Sequence, residues 1–171
     1  MNQESFLQLL RSALLAIQEP ACYEAAPKFQ VELLAQLRAR LGNVPIWPGA
    51  TAVEEDYLQG AAAHGCKDRP DLIIHNPFDR GLFEHRGEGD YVVIELKRRV
   101  GKQAAESAYA KLDRICTLLD YAMGLLINVD SDQVFFSKSR SAAGGRLHGF
   151  AVELRDGRVH LLEGHPYQSR R

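Results

Sequence analysis

The chain has 171 residues, a mass of 19.1 kDa, 46% hydrophobic and 25% charged residues. That is globular composition, enough for one core-forming domain over 1–171, and it excludes a disordered tract or a fibrous repeat. Lys plus Arg is 21 and Asp plus Glu is 22, a net charge of -1, which excludes a uniformly basic coat but not a local basic face. No apolar run approaches the roughly 20 residues of a membrane helix, and the first residues lack the basic region of a secretory signal. Three widely spaced cysteines, Cys22, Cys66 and Cys116, fit free thiols, so a soluble cytoplasmic domain without membrane contact is expected.

Residues 4–18 place Phe6, Leu9, Leu10, Ala13, Leu14 and Ile17 at helical spacing before Pro20. A second helix is expected from Pro27 to Leu41, with a stripe of Phe29, Leu33, Leu34, Leu37 and Leu41 and a stop at Gly42. Val44–Pro48 reads as extended, and Ala52–Leu58 as a strand. Asp71–His75 and Tyr91–Lys97 read as an antiparallel pair joined by a long loop over 76–89. Helical spacing returns over 103–120, followed by the apolar run Leu125–Val129, so strand, helix and buried strand form a parallel crossover. Val134–Phe136 and a hairpin of Phe150–Leu154 with Arg158–Leu162, turned at Asp156-Gly157, close the chain. The fold class is α/β, a small mixed sheet flanked by helices. The parts are an N-terminal helix in 1–20, a core in 27–130 and a C-terminal β extension in 131–171.

Polar residues in strands that should be buried carry the functional signal. Period two sets Tyr91, Val93, Glu95 and Lys97 on one face. If His75 lies opposite Tyr91, then Ile73 faces Val93 and Asp71 faces Glu95. Two carboxylates about 5 Å apart repel, and a shared cation removes the conflict. All-oxygen ligation selects Mg²⁺ or Mn²⁺ over zinc. Lys97, one step on, is placed to hold a phosphate oxygen or orient water. The basic residues Lys97, Arg98, Arg99 and Lys102, with Arg69, Arg80 and Arg86 around the same strand pair, suit a phosphate backbone.

Pro70-Asp71 and Glu95-Leu96-Lys97 resemble the signature of the PD-(D/E)XK nuclease superfamily, over the stretch 27–130. The resemblance implies a restriction-endonuclease-like core and a metal-dependent phosphodiesterase. In it Asp71, Glu95 and the Leu96 carbonyl would bind Mg²⁺, and Lys97 would position or activate water. It also implies a glutamate from the first core helix, where Glu32 matches, with Glu54 or Glu55 as alternatives. The expected activity is endonucleolytic hydrolysis of DNA in preference to RNA, directed by structure or by a partner, with homodimerisation left open. The bland readings are a strand-initiating turn at Asp71 and a solvated pair at Glu95 and Lys97. The rival function is a catalytically idle module that binds nucleic acid or a protein. A zinc set of His64, Cys66, His75 and His85 matches no structural spacing.

Overall fold

The computed structural model describes residues 2–42, 44–48, 69–75, 90–136 and 144–164. The expected strand over 52–58, with Glu54 and Glu55, and the 76–89 loop, with Arg80 and Arg86, lie outside them. So do His64, Cys66 and His85.

Among the described residues, helices α1 (Gln3–Leu15), α2 (Ala26–Leu41) and α3 (Lys102–Leu118) accompany six strands. These are β1 (Ile46–Pro48), β2 (Leu72–His75), β3 (Asp90–Arg98), β4 (Met123–Val129), β5 (Leu147–Arg155) and β6 (Arg158–Gly164). Asn2 caps α1 by accepting from the Ser5 amide at 2.8 Å. The helix ends at Leu15, short of the expected 18, and Pro20 opens a separate 3-10 turn, Pro20–Glu24. Gly42, with φ 63°, stops α2 where its sequence predicts.

The strands form one mixed sheet in the order β1-β2-β3-β4-β5-β6, with β3, β4 and β5 parallel and the outer pairings antiparallel. Alternation divides the core in two. Leu72, Ile74, Val92, Ile94, Leu125, Ile127, Phe150 and Val152 pack beneath α1 and α2. Ile73, Val93, Leu126 and Leu147 pack beneath α3, against Ala105, Ala108, Leu112 and Ile115. Each face of the sheet thus has its own helical layer, as burial of a strand apolar on both sides requires.

The β2–β3 register is Leu72↔Ile94, Ile73↔Val93 and Ile74↔Val92, as the sequence predicts. A bulge then sets His75 opposite Asp90, not Tyr91. Tyr91 is the extra residue, and its ring turns to the α1 face, edge-on to Phe6 at 5.7 Å, instead of sharing a face with Val93. Val134–Phe136 forms no strand. The segment has no ladder, Phe135 sits at φ 49°, and Val134 and Phe136 lie over Gly149 and Gly164. The β5–β6 hairpin turns at Asp156 (φ 51°) and Gly157 (φ 71°), both left-handed as a two-residue turn requires.

Gly149 lies against the hydroxyl end of Tyr109. A Cβ there would collide with the Tyr109 hydroxyl and the Val134 side chain. Gly149→Ala is therefore expected to destabilise the fold by about 1–3 kcal/mol, the ordinary cost of overpacking. Adding Tyr109→Phe should recover part of the loss in thermal melts, because the closest colliding atom is gone.

Candidate active site

Along the α3 side of β3 the surface changes character. Val93 is apolar and fully buried, whereas the next two positions on that side are Glu95 and Lys97, and neighbouring β4 offers Asn128 opposite Lys97. Continued by one residue, the β2–β3 register sets Asp71 across from Glu95. The Asp71 amide donates to the Ile94 carbonyl at 3.1 Å, and Asp71 Oδ2 accepts from the Leu96 amide at 2.7 Å. Asp71 thus extends the antiparallel ladder with its own side chain.

Glu95 is 2% exposed, and each of its oxygens meets an ammonium. Lys97 Nζ lies 2.5 Å from Oε1 and Lys111 Nζ 2.6 Å from Oε2. A buried carboxylate is tolerable only when paired in this way. Lys111 also donates to the Arg69 carbonyl at 2.6 Å, while Gln30 Nε2 of α2 donates to the Asp71 carbonyl at 2.9 Å. Residues 69–71 are therefore gripped from both helical layers. Desolvation is the main cause that pushes the Asp71 carboxyl above its usual range. Nearby Glu95 adds to the shift, while the Leu96 amide and both lysines oppose it.

Sequence reasoning thus brought Asp71, Glu95 and Lys97 together but missed Lys111 and Gln30. Both had a signal. Gln30 lies on the apolar stripe of α2, within the arc of Leu34, Leu37 and Leu41, and Lys111 borders the Ala108/Ile115 edge of the α3 stripe. A polar residue on a core-facing stripe needs a buried partner.

Glu32 does not join the cluster. It lies off the stripe of α2, its Oε1 accepts from Gln36 Nε2 at 2.7 Å, and it adds to burial in raising the Cys22 thiol pKa. Among the described residues no three His, Cys, Asp or Glu side chains converge on a common point. Asp71 and Glu95 are both hard oxygen donors, the ligand type that Mg²⁺ and Mn²⁺ take.

The basic residues separate into two kinds. Arg98 donates through Nε to the Tyr23 carbonyl and through Nη2 to Asp130 Oδ2, both at 2.7 Å. It braces the end of β3. Arg99, at φ 49°, shares Asp130 at 2.8 Å yet remains 63% exposed. Lys102 and Arg69 are exposed as well. Arg98→Ala should cost about 1–3 kcal/mol of stability, read in denaturant unfolding, because it strands the Tyr23 carbonyl and part of Asp130.

In comparisons with known proteins, no family model, no curated protein and no solved structure matches the chain.

Proposed function

We propose that the protein is a Mg²⁺- or Mn²⁺-dependent nuclease with a restriction-endonuclease-like core, hydrolysing DNA phosphodiester bonds. One observation carries the reading: the register that brings Asp71 and Glu95 to one end of the β2–β3 pair with Lys97 alongside. Asp71, Glu95 and the Leu96 carbonyl would hold the ion. Bound there, it would neutralise charge on the phosphoryl group and supply a nucleophilic water near neutral pH. Lys97, released from Glu95 Oε1, is more exposed than Lys111 and has the reach to hold a phosphate oxygen or steady the attacking water. Arg69, Arg99 and Lys102 would contact the backbone, giving salt-dependent and largely sequence-blind affinity. These assignments suit a substrate chosen by structure or by a partner protein.

A second reading is favoured by one feature, the capping of both Glu95 oxygens by lysines. A site neutral without a metal suits a binding module that has no catalysis. Plasmid and single-stranded DNA incubated with Mg²⁺ or Mn²⁺ decide between them. The nuclease reading expects cleavage that Lys97→Ala lowers by roughly 10²–10⁴-fold, the usual contribution of a group that manages a proton or water. Binding without cutting would establish the module.

A further inference from the structure

The four side chains that meet at the strand end carry two negative and two positive charges, Asp71 and Glu95 against Lys97 and Lys111. The two lysines are not equivalent. Lys97 is 40% exposed and, among the described residues, pairs with Glu95, so solvent can receive it. Lys111 is 20% exposed, projects from the middle of α3, and is held by two acceptors, Glu95 Oε2 and the Arg69 carbonyl. If Lys97 swings away, Lys111 stays.

We infer that Lys111 is a fixed counter-charge that makes cation binding at Asp71 and Glu95 depend on the phosphates of the substrate. The inference rests on the metal-dependent reading above. With Lys111 in place, a divalent ion brings the pocket of Asp71, Glu95 and Lys111 to a net positive charge, and low-dielectric surroundings magnify that excess. An anionic backbone laid across the site cancels it. Cation and nucleic acid therefore bind with positive coupling, and by linkage each tightens the other by the same factor. Such a site would take up its ion together with the strand it cuts, so Lys111 is a positioning residue that also sets when the site loads.

Calorimetric titration with Mn²⁺, with and without a short phosphorothioate oligonucleotide, tests this. The wild-type protein is expected to bind Mn²⁺ more tightly with the oligonucleotide present, by a factor within the roughly 5–150-fold range of coupled sites. Lys111→Met should bind Mn²⁺ more tightly than wild type in the absence of oligonucleotide and show a smaller enhancement in its presence. Lys111→Gln removes the charge but keeps a donor, and should behave likewise, which separates charge from loss of support; circular-dichroism melts report whether both variants fold. Equal Mn²⁺ affinity with and without oligonucleotide in the wild type overturns the inference and leaves the nuclease reading standing. So do folded variants that bind Mn²⁺ no more tightly than wild type. Absence of Mn²⁺ binding in every protein and condition overturns the nuclease reading as well.

Discussion

On the proposed nuclease reading, Glu95→Gln is expected to end cleavage and lower stability together. Glutamine has nearly the shape of glutamate but no charge, and its amide turns a donor toward one of the two ammonium groups. One of Lys97 and Lys111 then loses its acceptor. Lys111 is the costlier loss, since it is the less exposed and its Arg69 partner is a neutral carbonyl. Leaving such a group unsatisfied costs about 1–3 kcal/mol. In a domain of this size each kcal/mol lowers the melting temperature by about 2–4 °C. Activity falls further than stability, because the substitution also removes a charged oxygen from the pair that would hold the cation. Cleavage assays beside thermal melts of the same preparation read both effects.

Asp71→Asn should separate what Glu95→Gln joins. Cleavage is lost, while the melting temperature at neutral pH is held or raised. The asparagine oxygen can still accept from the Leu96 amide, and the amide–carbonyl bond from Asp71 to Ile94 belongs to the backbone. What disappears is a carboxylate whose ionised form is disfavoured first by burial and then by Glu95. The sign follows from its raised pKa. The stabilisation from the protonated form is complete below the unfolded carboxyl's ordinary value of 3.8 and is lost as pH rises through the higher folded value. Wild type and variant should therefore converge in acid, and the variant should gain on wild type as pH rises through that window. A loss of more than about 1 kcal/mol at neutral pH would mean that the ionised carboxylate makes a net stabilising hydrogen bond here.

Much of this arrangement was legible in the sequence because its signals are local. Period-two alternation gives the faces of Leu72–His75 and of Val92–Lys97, and the Asp156-Gly157 pair fixes the last hairpin. The register at Asp71 held because the bulge fell at the opposite end of the strand pair, between Ile74 and His75. That same bulge defeated the reading of Tyr91. An extra residue reverses side-chain direction, and no residue type in the sequence marks where it falls. Glu32 failed for a related reason. Resemblance supplies a residue type and an element, whereas the helix's own stripe decides which residue looks at the sheet, and on α2 that is Gln30. Lys111 needed the distance in sequence from 95 to 111 to be closed by the α3 crossover before its pairing with Glu95 could exist. Arg98 looked like part of a basic run until Asp130, at the end of the neighbouring parallel strand, came beside it.

Diffraction from a crystal soaked in Mn²⁺, read in the anomalous map, tests whether Asp71 and Glu95 hold a cation. A peak is expected between Asp71, Glu95 and the carbonyl of Leu96, with Lys97 moved off Oε1 and Lys111 still on Oε2. A map from well-soaked crystals with no peak there, and with both ammonium groups still closed on Glu95, would contradict this.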